Sequence, residues 1–283
     1  VAQVFLLMPR WFVQSDPCGL VCAAAAHILI SGSCVVLIWS LFQVESPVTY
    51  AATPFLVGLA VLASWSHLCC MLSDPGAIQP GEYIEMATDV PHVTKEVELD
   101  SATRRREHGR FWCKKCSHAR PPRAHHCSTC RRCIRKMDHH CPWVNNCIGQ
   151  YNQKHFVLFC FYTLCLCLVA LGILLRRGLT CGGDFSRFSK HASLACDMGS
   201  AEVLCYIVVF FSALVFALFT ILMMFDQISG IVNDSTGIEM LQNSQSDEVR
   251  DWRQSLEEVF GGPPSWRWLL PLPYKRLNPK CMV

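Results

Sequence analysis

Four runs of apolar residues divide the chain, at roughly 20–43, 51–72, 155–175 and 201–225. Each is long enough to cross a bilayer, which takes a helix of about 20 residues. The second contains "FLVGLAVLASW" and the fourth "YIVVFFSALVFALFTILMMF", with no charge in either stretch. His27 and His67 make the first two runs slightly less apolar than the others. Buried core helices of a soluble protein are the alternative reading, but four such runs separated by polar segments describe a polytopic membrane protein. The first run is too long for a signal-peptide core and is not followed by a small-residue cleavage site. The chain begins at Val1 rather than Met, which leaves room for upstream residues.

Charge adds a lean toward one orientation. The segment 73–154 holds 14 of the 25 Lys and Arg residues, the C-terminal tail six and the 176–200 loop four. The totals place 73–154 and both termini in the cytosol, whereas Arg176 and Arg177, at the end of a span, argue the other way. Residues 77–110 are charged and aperiodic and read as a solvated linker, with "RRR" at 104–106 open to anionic lipid or phosphate. Near the C-terminus Val249, Trp252, Leu256, Val259 and Phe260 recur at helical spacing. Asp247 and Glu248 fall in the first turn, and Gly261-Gly262-Pro263 is a stop. This face is expected to dock on the protein's own membrane domain.

The chemistry concentrates in residues 111–147. Seven of the 19 cysteines lie there, at 113, 116, 127, 130, 133, 141 and 147, among His118, His125, His126, His139 and His140. Two Cys-x2-Cys pairs, Cys113/Cys116 and Cys127/Cys130, place thiolates on tight turns in the manner of zinc sites. A disulfide cluster is disfavoured by the odd cysteine count and by a reducing location. Two closed four-ligand sites need eight ligands, and seven cysteines with two histidines make nine. One thiol is therefore left over, beside an Asp-His pair, which is the setting of a nucleophile. A nucleic-acid finger would present Cys-x2-Cys with His-x3-His on a helix, and that spacing is missing.

The stretch "CKKCSHARPPRAHHCSTCRRCIRKMDHHCPWVNNCIGQYNQKHF" resembles the cysteine-rich domain of the DHHC protein S-acyltransferases, or palmitoyltransferases. "DPG" at 74–76, "TGIE" at 236–239 and "VFGG" at 259–262 extend the resemblance along the chain. It implies an all-α membrane protein of four transmembrane helices, with a small cytosolic two-zinc cysteine-rich β-hairpin domain between helices 2 and 3. The layout would be an N-terminal cytosolic segment (1–19), helices 1 and 2 (20–72), a linker (73–110) and the zinc and catalytic block (111–154). Helices 3 and 4 with a luminal loop (155–225) and a cytosolic tail (226–283) would follow. One zinc would be held by Cys113, Cys116, His126 and Cys133, the other by Cys127, Cys130, His140 and Cys147, leaving Cys141 free. His118 and His125 would be ordinary surface histidines.

The activity so implied is transfer of a palmitoyl group from palmitoyl-CoA to cysteines of cytosolic-face proteins through acyl-Cys141. His139 would act as general base and Asp138 would orient it. In a rival reading Asp138 only supports a zinc-bound histidine. Arg131, Arg132, Arg135 and Lys136 are candidates for the CoA phosphates, Trp143 for the floor around the thioester, and Leu166 for the end of the acyl chain. The second threonine usual in the family is Gly237 here, and an asparagine usual near "VFG" is Ser255. Those departures support the alternative of a catalytically weak or inactive membrane scaffold. "NDSTGIE" resembles Golgi-resident members, so a multi-pass protein of the Golgi, or of the ER, is expected. No nucleic-acid partner is expected.

Overall fold

A computed structural model describes residues 16–43, 47–79, 112–182, 196, 198–243 and 251–272. The four apolar runs are helices: α1 (Pro17–Phe42), α2 (Pro47–Leu72), α3 (Gln153–Gly182) and α4 (Ser200–Val232). All four are long and apolar enough to cross a membrane. The third and fourth helices each run seven residues beyond the expected apolar runs, to Gly182 and Val232. Hydrogen bonding continues through polar residues such as Arg176 and Asp226, so the helix outlasts its greasy part. Between α2 and α3 lie six short strands: β1 (Trp112–Cys113), β2 (His118–Ala119), β3 (His125–Cys127), β4 (Arg132–Ile134), β5 (His139–Cys141) and β6 (Asn146–Ile148). A five-residue helix α5 (Gly237–Leu241) and an amphipathic helix α6 (Trp252–Phe260) follow α4. The fold is thus mostly helical, with a strand-rich cysteine block between the second and third spans.

The chain divides into two compact units, one of residues 21–68 and 155–228, the other of 1–20, 69–154 and 229–283. The first is a helical bundle whose core contains Leu37, Leu56, Leu158, Leu166 and Val209. Ala63, Ala170, Ala213 and Ala217 lie in the same core, where small side chains let helix backbones approach closely. Val21, Val35, Phe211, Leu222 and Phe225 are exposed instead. An apolar exterior around a packed interior suits a lipid surround rather than water. His67 is buried edge-on against His27 and Phe159, at ring separations of 4.5 and 5.0 Å.

The second unit is built from three antiparallel hairpins, β1–β2, β3–β4 and β5–β6. These strands are two or three residues long and bury too little apolar surface to stand alone. Their neighbours in the chain brace them. Asp74 Oδ1 accepts from the Gly76 and Ala77 amides at 2.9 and 2.7 Å, closing a turn in which Gly76 sits at φ 109°. That turn lays Ala77 against Ile134 of β4, and Ile78 donates to the Cys133 carbonyl at 2.9 Å. Asn146 Nδ2 donates to the Cys70, Met71 and Ser73 carbonyls at 2.9–3.2 Å, so it satisfies the C-terminal carbonyls of α2.

In the tail, α6 starts at Trp252 with Asp251 as its N-cap and ends at Gly261, in the left-handed region at φ 86°. Asp247, Glu248 and Val249 lie outside the described residues. The buried positions of α6 are Ser255 and Phe260, whereas Trp252 is half exposed, contrary to the apolar face expected from its spacing. Phe260 instead stacks on Trp268 at 4.8 Å.

Candidate active site and metal centres

Hairpin register explains why two clusters able to hold a metal ion form and why they interleave. In β3–β4, His126 stands opposite Cys133, and in β5–β6, His140 stands opposite Cys147. Each pair therefore presents one imidazole and one thiol on the same side of a ribbon. The turn of the preceding hairpin supplies the other two ligands. Cys113 and Cys116 come from β1–β2, and Cys127 and Cys130 from β3–β4. The residues after the two turns, Ser117 and Arg131, share the same left-handed φ of 54°, so the two cysteine knuckles repeat each other. The ligand atoms of Cys113, Cys116, His126 and Cys133 lie within 4.8 Å of one another, as do those of Cys127, Cys130, His140 and Cys147.

These distances can be tested against a tetrahedral metal. Zinc bonds of about 2.3 Å to sulfur and about 2.0 Å to nitrogen imply S···S edges of about 3.8 Å and S···N edges of about 3.5 Å. Cys133 and Cys116 are 3.8 Å apart, and His126 Nδ1 is 3.6 and 3.1 Å from Cys113 and Cys116. In the other cluster His140 Nδ1 stands 3.7, 3.4 and 3.6 Å from Cys127, Cys130 and Cys147. Two edges, Cys116–His126 at 3.1 Å and Cys130–Cys147 at 3.4 Å, are about 0.4 Å short of those values, so each cluster fits a bound ion with small side-chain shifts. The Asp16 carboxylate lies 4.0 Å from His140 Nε2, the ring nitrogen turned away from the cluster. At that distance the two do not hydrogen-bond, and His140 Nε2 is buried without a hydrogen-bond partner, so Asp16 acts on the ring only through its nearby negative charge. Asp16 also accepts from the Cys18 and Gly19 amides, so the start of α1 keeps it in place.

Six of the block's seven cysteines are thereby assigned to clusters, and Cys141 is not. It ends β5, two residues after His139, and is 4% exposed. His139 Nδ1 and Asp138 Oδ2 are 2.6 Å apart, and the Cys141 thiol, two residues along the strand, also favours the protonated ring. Burial opposes protonation of this imidazole, but those two partners outweigh it and lift its pKa to about 9. Adjacent histidines thus diverge: the strand alternation sends His140 to a cluster and His139 toward Asp138 and Cys141.

Asp138 is held from a second side by a group that the sequence alone does not suggest. The Gly237 amide, first in α5, donates to Asp138 Oδ1 at 2.6 Å. A Cβ at position 237 would meet that oxygen at 3.2 Å, a tight approach. The helix is locked by a capping box: Thr236 accepts from the Glu239 amide at 3.3 Å and Glu239 accepts from the Thr236 amide at 2.8 Å. Glu239 also receives Arg123 through both oxygens, at 2.6 and 2.8 Å. The same guanidinium donates to Asp234 Oδ1 at 3.0 Å and to the Asp234 carbonyl at 2.6 Å. Burial opposes the charge on Arg123, but these carboxylates outweigh it and raise its pKa above the ordinary value. Burial likewise opposes ionisation of Asp234 and Glu239, yet nearby cations keep both below the ordinary carboxylate value.

The basic residues expected near a phosphate differ in their surroundings. Lys136 is engaged by Asp234 at 3.3 Å and by Glu258 at 3.0 Å, which commits its charge to protein carboxylates. Arg131 is exposed, Arg132 and Arg135 are half-buried, and Arg132 donates to the Cys130 carbonyl at 3.1 Å. Trp143 is half-buried in the 3-10 turn that follows Cys141. His118 is buried, not at the surface, with Nδ1 donating to the Ala119 carbonyl at 2.8 Å, while His125 is half-buried. Ser255 Oγ is buried without a hydrogen-bond partner.

Comparison with known proteins agrees with this geometry. The family model described as DHHC palmitoyltransferase matches residues 106–244. Palmitoyltransferase ZDHHC7 of Mus musculus is 37% identical over 273 residues, covering 95% of this chain and 82% of that protein. Palmitoyltransferase ZDHHC3 of Homo sapiens is 36% identical over 269 residues, covering 92% and 83% respectively. The more distant "Probable protein S-acyltransferase 12" of Arabidopsis thaliana is 34% identical over 221 residues, covering 76% and 70%.

Proposed function

The chain belongs to the DHHC palmitoyltransferase family, and from that premise we propose how its residues divide the work of protein S-palmitoyl transfer. Cys141 is the nucleophile, His139 the proton acceptor and Asp138 the group that orients it. The observation that carries this assignment is the Asp138–His139–Cys141 relay on a thiol left outside both metal clusters.

In the first half-reaction Cys141 Sγ attacks the carbonyl carbon of palmitoyl-CoA while His139, whose raised pKa favours the protonated ring, holds the proton that the thiol gives up. The C–S bond to CoA breaks, and the CoA thiolate leaves with the proton from His139. In the second, His139 takes the proton of a substrate cysteine, whose sulfur attacks acyl-Cys141 and restores the thiol. One thioester replaces another in each step, so the enzyme's task is positioning and proton management rather than driving force. Asp138 stabilises the imidazolium formed in both halves and, held by the Gly237 amide, keeps the ring in one orientation.

The metals are zinc ions in this reading, held by Cys113, Cys116, His126 and Cys133 and by Cys127, Cys130, His140 and Cys147. Closed four-ligand sites of this kind supply rigidity and take no part in the reaction. Exposed Arg131, with Arg132 and Arg135, is proposed to meet the CoA phosphates, and Lys136 to act mainly as a tie between the block and the tail. Trp143 is proposed to pack beside the thioester. Leu166, buried in the core of the helical unit, is proposed to limit the acyl chain's length. The proposed location is the Golgi membrane, with the active site toward the cytosol, where acyl-CoA is available.

The scaffold alternative drew its support from Gly237 and Ser255. At Gly237 that support weakens because a backbone amide, present in any residue but proline, makes the contact to Asp138, whereas Ser255 keeps a buried hydroxyl without a partner. Incubating purified protein with labelled palmitoyl-CoA, and then with a cysteine-bearing acceptor, tests the function. Label on the protein that hydroxylamine removes and the acceptor withdraws is the expected result. A protein that binds metal yet takes up no label would be a scaffold.

A further inference from the structure

Among the described residues one cysteine pair is oxidised. Cys181, in the last turn of α3, is disulfide-bonded to Cys196, just before α4 begins. All seven cysteines of the metal and catalytic block are free thiols. These two states need opposite surroundings. Clusters of thiolate ligands and a thiol nucleophile require a reducing compartment, whereas a disulfide persists in an oxidising one. A single membrane-spanning helix, α3, lies in the chain between Cys147 and Cys181.

Charge at this end of the bundle had pointed the other way, through Arg176 and Arg177. Arg177 is buried, and its Nη2 lies 3.7 Å from Glu202 Oε1, an oxygen that also accepts from Tyr206 Oη at 2.6 Å. Its charge is therefore answered within the helical unit by an acid on α4 and does not act as an unpaired cytosolic anchor.

The family resemblance already implies a luminal α3–α4 loop; we infer that in this chain the loop is closed by a Cys181–Cys196 disulfide, an oxidative modification made on the luminal side. The bond forms by thiol–disulfide exchange with a luminal protein disulfide. The two thiols give up two protons and two electrons, and the donor disulfide takes both and leaves as a dithiol. The bond ties the end of α3 to the start of α4, fixing that rim of the bundle. The inference does not depend on acyl transfer.

The test uses the full chain in sealed microsomes. Free thiols are blocked with N-ethylmaleimide in denaturant with chelator. The sample is then reduced and alkylated with isotopically heavy N-ethylmaleimide before peptide mapping. Cys181 and Cys196 should carry the heavy label, and the metal-cluster cysteines the light one. Cys181→Ser should move Cys196 to the light label. Light label on both cysteines of the wild-type chain would overturn the inference. Orientation is read on microsomes treated with a permeant reductant and washed. A membrane-impermeant maleimide should reach Cys181 and Cys196 only after the vesicles are opened with detergent. Labelling in sealed vesicles would place the loop on the cytosolic side and overturn it. The Cys181→Ser/Cys196→Ser variant should still form hydroxylamine-sensitive acyl-enzyme, so failure of this inference is distinguishable from failure of the transfer reading.

Discussion

Removing the Arg123 side chain should release α5 from the cysteine block. Its guanidinium makes a two-pronged contact to Glu239 and another to Asp234, with side-chain exposures of only 20%, 7% and 13%. Arg123→Ala would leave buried Glu239 and half-buried Asp234 under-compensated, a change that typically costs about 3–5 kcal/mol. Two partners survive: Lys136 remains 3.3 Å from Asp234, and the Thr236 amide remains 2.8 Å from Glu239. The lower end, about 3 kcal/mol, is therefore expected, and at about 1.4 kcal/mol per factor of ten it corresponds to a more than hundredfold rise in the open population. Limited proteolysis of the detergent-purified protein reads that population, provided that cleavage is slow relative to reclosing. Cleavage within residues 236–243 should accelerate about a hundredfold in Arg123→Ala. Arg123→Lys, which keeps the charge but loses the fork, should accelerate it about tenfold. Adding Glu239→Gln to Arg123→Ala should recover part of the loss by removing one stranded charge. A cleavage rate within about twofold of wild type in Arg123→Ala, or strict additivity in the double variant, would refute the clamp.

Three further outcomes follow from the same geometry. Gly237→Pro keeps a residue suited to the first position of a helix but removes the amide that holds Asp138. It should slow acyl-enzyme formation roughly ten- to a hundredfold, while Gly237→Ala costs only a few-fold; equal rates in the two variants would contradict that role for the amide. His140→Ala should lose about one metal ion per chain and be markedly destabilised, whereas His139→Ala should keep both ions and lose acylation rate, as read by metal analysis beside labelling. Leu166→Phe should shift preference among 14-, 16- and 18-carbon acyl-CoAs toward shorter chains and Leu166→Ala toward longer ones, an unchanged profile in both placing the end of the acyl chain elsewhere.

What the sequence made legible was whatever is carried by short spacing or by long apolar runs. The Cys-x2-Cys pairs announce tight turns, and a leftover thiol beside Asp138 and His139 announces chemistry. Their partition into two clusters needed the family resemblance, because spacing alone does not say which histidine joins which knuckle. Register supplies the physical reason, placing His126 opposite Cys133 and His140 opposite Cys147. Arg123 escaped notice because its partners, Asp234 and Glu239, stand 111 and 116 residues away. Asp16 behind His140 is similarly remote. The Gly237 amide left no trace because every residue except proline carries one, and a glycine reads as a missing threonine. Cys181 and Cys196 carry no recognisable motif, because one ends a helix and the other lies 15 residues on, just before the next. Lys136 and Arg131 look equivalent in a basic run, and only the carboxylates around Lys136 separate them.

The claim on which the account turns is that Cys141 reacts while its six neighbours in the block bind metal. Metal content and acyl-enzyme formation, measured on the same preparation of Cys141→Ser, test it directly. The account expects about two zinc ions per chain, as in the wild type, with no hydroxylamine-sensitive label from palmitoyl-CoA. Loss of a zinc ion together with the label would make Cys141 a ligand, and persistent label with both ions bound would put the nucleophile elsewhere.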